Sequence, residues 1–268
     1  MKKILLLSGF VFLTCGSCAP FLDSPFSDQL LRPERNIHLQ SLGRLGGIEA
    51  DGVIRIAVFA DPHQNYKALD KVLFEINQTA DIDFVAGLGD YTNSGYNLEY
   101  DQFLDGLEYV TLPKLMALGN HDAIGAGPEL FRKAFGDPNF FFESPSFRFI
   151  FFNANNLETP DDFKPDWLKA RVDESAKPVI IFSHVQLQDQ ERFSGGTAAV
   201  LGSIVEDSKV KLALNGHNHV YQLVVDHGTL LLQAARAEGS QWLVIELQGS
   251  QVCIKRMDNL ETDCRALK

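Results

Sequence analysis

Five short segments of metal-ligating residue types interrupt this chain, and each begins close behind an apolar run. They are Asp61-Pro62-His63, Gly89-Asp90, Gly119-Asn120-His121-Asp122, Ser183-His184 and Gly216-His217-Asn218-His219. Of the seven His in the chain, only His38 and His227 lie outside these segments. α/β sheets place ligands beyond the carboxyl ends of their strands, so this spacing restricts the chain to folds that gather several strand ends at one place.

The apolar runs have the lengths and residue types of buried strands. Val53 to Ala60, Asp83 to Gly87, Lys114 to Leu118, Phe147 to Phe152, Val179 to Phe182 and Val210 to Leu214 are short and mostly apolar. Helical spacing appears between them. Leu69, Val72, Leu73 and Ile76 predict a helix over Tyr66 to Gln78. Asn97 is a candidate cap for a helix burying Tyr100, Phe103, Leu104 and Leu107. Asp166 to Glu174 predicts another helix, and Thr197 is a candidate cap for one through Val200, Leu201, Ile204 and Val205. From Val220 onward four short strands follow: Val220–Val225, Thr229–Gln233, Trp242–Glu246 and Val252–Lys255. The predicted class is α/β, with two packed sheets and helices outside. No internal repeat or low-complexity tract is present.

With 24 Lys+Arg against 35 Asp+Glu, the net charge is −11, which argues against a nucleic-acid-wrapping surface. At 268 residues and 45% hydrophobic, the chain can bury a sizeable core.

The chemistry of the five segments is coherent. Asp and His supply oxygen and nitrogen to first-row divalent cations, and Asn adds a neutral oxygen. Two ligands separated by one residue, as in Asp61/His63 and His217/His219, converge either from an extended segment or from a bent loop. Glycines before Asp90, Asn120 and His217 permit sharp turns and close approach. Asp61, His63, Asp90, Asn120, His184, His217 and His219 make seven candidate ligands, too many for one tetrahedral ion. They suit two ions about 3.5–4 Å apart, bridged by a carboxylate and a hydroxide.

Taken in order, these motifs resemble those of the calcineurin-like metallophosphoesterase superfamily, over about Val53 to Val244. The resemblance implies a four-layer α-β-β-α sandwich of two mixed sheets flanked by helices. It implies that Asp61, His63 and His219 hold one metal, that Asn120, His184 and His217 hold a second, and that Asp90 bridges them. It assigns His121 as general acid, with Asp122 orienting and charging its imidazole. Two divalent ions are expected as cofactors; Mn, Fe, Zn, Co and Ni all suit this donor set. The expected reaction is hydrolysis of a phosphoric ester, with attack by the bridging hydroxide and protonation of the leaving group by His121.

Two departures matter. The protein Ser/Thr phosphatases carry Asp-Arg-Gly where this chain has Asn93-Ser94-Gly95, so the phosphate-clamping arginine is missing. Val185-Gln186 follow His184 where many relatives have a nearby proline, a departure that concerns the shape of this loop and not metal binding. The Asp166-Trp167-Leu168 helix resembles a similarly placed helix in the phosphodiesterase branch, and a phosphodiesterase is the leading expectation. The alternatives are a phosphomonoesterase and a non-catalytic lipoprotein that binds phosphorylated ligands. The loop Val185 to Gly196 is expected over the site, with Arg192 read as a solvated arginine and Asn65 and Asn93 as substrate candidates.

The first residues read as an export signal: Lys2 and Lys3, an apolar stretch from Ile4 to Thr14, then small residues. Gly16-Ser17 before Cys18 resembles a lipoprotein cleavage site, despite Cys15 where Leu is usual. The expected organisation is a signal peptide over 1–17, a tether and overlying segment over 18–51, and the phosphoesterase domain over 52–268. The domain is then anchored through a lipid on Cys18 and faces the cell envelope outside the cytoplasm. Cys253 and Cys264, eleven positions apart, can pair across a terminal hairpin in an oxidising compartment. Spacing alone leaves that bond open, since it carries no Cβ geometry.

Overall fold

A computed structural model describes residues 24–32, 35–237 and 241–267. The expected signal peptide and Cys18 lie outside the described residues. The first sheet contains β1 (Ile54–Phe59), β2 (Phe84–Gly87), β3 (Lys114–Met116), β10 (Leu243–Gln248), β11 (Gln251–Arg256) and β12 (Thr262–Ala266). Its order is β12-β11-β10-β1-β2-β3. The second contains β4 (Phe140–Glu143), β5 (Arg148–Phe151), β6 (Val179–Phe182), β7 (Val210–Asn215), β8 (Gln222–Asp226) and β9 (Thr229–Gln233), in the order β4-β5-β6-β7-β9-β8. Both are mixed. β1, β2 and β3 run parallel, as do β5, β6, β7 and β9, with antiparallel strands at the margins.

Period-two alternation sorts each strand between two cores. Ile56 and Val58 of β1 face the second sheet and join Phe149, Phe151, Phe182 and Leu214. Ala57 and Phe59 face outward against Leu69, Val72 and Ile76 of α2 (Tyr66–Gln78) and Phe103 of α3 (Asn97–Glu108). α4 (Gly127–Ala134) extends that layer. On the far side, Ile150, Ile181 and Val210 pack under α5 (Pro165–Asp173) and α6 (Gly195–Val205). The result is the expected four-layer sandwich.

Local details differ from the sequence expectation. Asn97 is the first helical residue of α3 and is buried, so it does not cap; Glu99 reaches back to the Tyr96 N–H instead. Thr197 lies inside α6, which begins two residues earlier with Ser194 in the capping position. Within the expected tether, α1 (Ile37–Leu42) docks against β3, burying Ile37, His38 and Ser41. Cys253 and Cys264 face each other across β11 and β12 and are bonded.

Candidate metal centre

The site is built from loops at the carboxyl ends of the parallel strands. β1 leads to Asp61 and His63, β2 to Asp90, β3 to Asn120, β6 to His184, and β7 to His217 and His219. Convergence comes from bent loops rather than extended segments. Asp61, His63, Asp90, His217 and His219 all have positive φ, between 48° and 73°. Asp and His tolerate this left-handed region better than most residues, yet each such position costs about 1 kcal/mol or more. Five such residues around one point mark a site whose backbone is held by the rest of the fold.

Glycine makes the close approaches possible. A Cβ on Gly119 would lie 2.0 Å from the Asp90 nitrogen, and one on Gly216 would lie 2.5 Å from Asp61 Oδ2. These contacts allow only a hydrogen at either position.

All seven expected ligands come together. Donor atoms of Asp61, His63, Asp90 and His219 lie within 4.8 Å of one another, as do those of Asp90, His184 and His217. Asp90 belongs to both groups. Asn120 joins the second, its Oδ1 standing 2.9 Å from His184 Nε2. His63 Nε2 lies 3.3 Å from His219 Nε2, and His217 Nδ1 lies 3.2 Å from His184 Nε2. Imidazole nitrogens this close face each other lone pair to lone pair unless a proton or a cation lies between them. His184 Nδ1 is 2.7 Å from the Leu88 carbonyl, which fixes its N–H there and leaves Nε2 to the site. The residues present therefore fit divalent cations by donor type, number and aim.

Electrostatics agree. Burial alone would raise the Asp90 carboxyl, but His184 and His121 hold it below the usual range. Burial alone would depress His184, but Asp90, by charge and hydrogen bond, raises it. Burial lowers His63 and His217. A divalent cation held by Asp90 and His184 would supply the positive charge that Asp90 otherwise draws from the His184 proton.

His121 stands beside the ligands. Its backbone N–H donates to Asp90 Oδ1 at 2.9 Å, and its ring meets the His63 ring edge-on at 4.9 Å. Asp122 does not orient it. The Asp122 carboxylate is fully buried and accepts from the Thr92 N–H at 2.9 Å, the Thr92 hydroxyl at 3.0 Å and the Gly119 N–H at 3.0 Å. Burial and the Asp90 charge push this carboxyl up. Its work is to tie two ligand loops together. His121 Nδ1 instead meets the main-chain carbonyl of Asn93 at 2.7 Å. Adjacent residues in this tight turn point in opposite directions, which proximity in sequence conceals.

Other side chains also depart from expectation. Arg192 is only 12% exposed, and its Nη1 contacts both Glu158 oxygens at 3.0 and 2.8 Å. It joins the loop after β5 to the loop after β6. Asn65 caps α2 by accepting the Ala68 N–H. Sequence reasoning did not find Gln64, Thr92 and Glu99, which carry no metal-ligand signature. Glu99 accepts from Gln64 Nε2, the Ser94 N–H and the Tyr96 N–H, bracing the Asn93 loop. The Ser/Thr-x-x-Glu spacing from Tyr96 does not announce this, because the capping position is a tyrosine.

Two mixed sheets enclosed by helices, with carboxylates and imidazoles collected at one set of strand ends, define a metal-dependent phosphoesterase. The family model for calcineurin-like phosphoesterases matches residues 54–221, and the chain belongs to that family. Solved structures share its fold at low identity. A dimetal phosphatase from Danio rerio is 13% identical with a TM-score of 0.65, covering 80% of this chain and 99% of its own. The purple acid phosphatase PPD1 of yellow lupin (Lupinus luteus) is 14% identical with a TM-score of 0.63, over 80% of this chain and 54% of its own. GAP50, the anchor in the inner membrane complex of Plasmodium, is 14% identical with a TM-score of 0.62, over 81% and 89%. Among curated proteins none matches this sequence.

Proposed function

We propose that this protein hydrolyses phosphodiesters with two divalent cations held by the seven ligands. Asp61, His63 and His219 hold one, Asn120, His184 and His217 hold the other, and Asp90 is shared. The observation that carries the reading is the sharing of Asp90 by two separate donor groups, with His121 against both. Divalent cations supply Lewis acidity there, lowering the pKa of water and drawing charge from phosphoryl oxygens. His121 serves as general acid. The Asn93 carbonyl fixes its Nδ1–H, so Nε2 is the atom that holds the proton for the leaving oxygen. Preference for a diester rests on charge. A monoester dianion calls for an added cation, yet Ser94 stands at the clamp position and Arg192 is committed to Glu158.

The test is a comparison of bis-aryl and mono-aryl phosphate hydrolysis by manganese-loaded protein, with elemental analysis. Faster diester turnover at two metals per chain is expected. Turnover of the monoester alone would move the assignment to the phosphatases, and a metal-loaded chain inert to both would end it.

We infer further that the domain is exported and anchored through a lipid on Cys18. The n-region lysines, the apolar stretch and Gly16-Ser17-Cys18 support this, as does the Cys253–Cys264 bond, which suits an oxidising compartment. Metabolic labelling with an alkyne fatty acid should mark the chain and miss Cys18→Ser; equal labelling of both refutes the anchor.

A further inference from the structure

We propose that Asn93 selects the leaving group, its Oδ1 accepting a hydrogen bond from a hydroxyl or ammonium group on the departing alcohol. This rests on the phosphoesterase reading and adds a substrate class: esters of neutral polyols or amino alcohols.

The direction of two side-chain amides follows from one carboxylate. Glu99 is buried and accepts from the Ser94 N–H at 3.0 Å and the Tyr96 N–H at 3.1 Å. A carboxylate in that role can only accept, so Gln64 turns its NH2 toward Glu99. The Gln64 Oε1 then faces Asn93 and accepts from its Nδ2 at 3.1 Å. Asn93 must present Oδ1 on its other side, and among the described residues no donor reaches that oxygen. Glu99 thus sets the polarity of both amides in turn, and the exposed end of the series is an acceptor.

Its position gives that acceptor a purpose. The main-chain carbonyl of Asn93 meets His121 Nδ1 at 2.7 Å and its side chain bonds Gln64, the neighbour of His63, so the exposed amide stands on the rim formed by the loop after Asp90. On this proposal the departing alcohol, protonated from His121 Nε2, leaves along this rim, within reach of Asn93 Oδ1. An oxygen backed by a carboxylate favours a hydroxyl or ammonium donor and disfavours an anionic group.

The full chain loaded with manganese is assayed on two symmetrical diesters, bis(2-hydroxyethyl) phosphate and diethyl phosphate. In each, either leaving group is the same. Binding of two non-hydrolysable ligands, 3-hydroxypropylphosphonate and propylphosphonate, is measured by calorimetry. The hydroxyl partner should win by roughly 3- to 10-fold in kcat/KM and in affinity, the worth of one exposed hydrogen bond. Asn93→Ala should bring both ratios near one. Gln64→Leu should reduce them too, by freeing the amide to flip, without altering position 93. A preference that survives Asn93→Ala, or is missing from the unaltered chain, overturns the inference. Equal binding of both phosphonates overturns this inference alone. Failure to bind either overturns the phosphoesterase reading and this inference with it.

Discussion

Nε2 of His38 accepts the backbone N–H of Met116 at 3.0 Å, tying α1 to the edge strand β3. The ring is 4% exposed, and burial lowers its pKa from 6.5 to about 3. Protonation at Nε2 would set one N–H against another. The folded state therefore binds fewer protons than the unfolded chain between those two values. The contribution of His38 to stability is complete above pH 6.5 and is lost as pH falls toward 3. At pH 5 the loss is about 2 kcal/mol. Denaturant midpoints at pH 7 and pH 5 should converge less for the unaltered chain than for His38→Gln, which keeps an acceptor but does not titrate. Identical pH dependence of the two chains would refute this account.

Cation binding should stabilise the fold, because the facing imidazole pairs exist only in the folded chain. At 100-fold excess over Kd the gain is about 2.7 kcal/mol, or a Tm rise of roughly 5–10 °C. Asp90→Ala removes the shared ligand and should abolish both the rise and the retention of metal. A variant that still holds two ions per chain would contradict the shared-ligand assignment.

His121→Ala should slow hydrolysis of esters with poor alkoxide leaving groups by roughly 100-fold or more, the usual worth of a positioned acid. Activated nitrophenyl esters should suffer much less. A leaving-group series decides the matter, since equal losses across it would remove the acid role.

Gly119→Ala places a methyl group 2.0 Å from the Asp90 nitrogen and 2.2 Å from its Oδ1. The loop must move, so metal affinity should collapse while far-ultraviolet circular dichroism stays nearly unchanged. Retained stoichiometric metal in the alanine chain would show that the loop has more room than this geometry allows.

The Cys253–Cys264 bond closes a short terminal hairpin, with the cysteines 11 positions apart. Removing it with paired serines should cost up to about 3 kcal/mol in the loop-closure account. Urea unfolding of the serine variant, beside non-reducing mass mapping, measures it. Free thiols mapped to Cys253 and Cys264 themselves would refute the bond.

Strands and helices with a strong period were legible in advance. Tyr66–Gln78 and Val179–Phe182 have the bounds that their apolar spacing predicts. α1 was not, because six residues carry less than two turns of pattern and its buried face includes His38. β4, with three successive Phe, shows no alternation, and β12 is mostly polar because it borders solvent at the sheet edge.

Residue chemistry and strand-end spacing alone determined that seven oxygen and nitrogen donors belong together and that two sheets carry them. Only the tertiary structure decided how. It converges the donors from bent loops with left-handed residues, turns Asp122 inward to brace loops, and hands His121 to the Asn93 carbonyl. Those outcomes depend on sheet order and on left-handed backbone at single residues. Both are settled by contacts between distant parts of the chain, and a local pattern does not encode them.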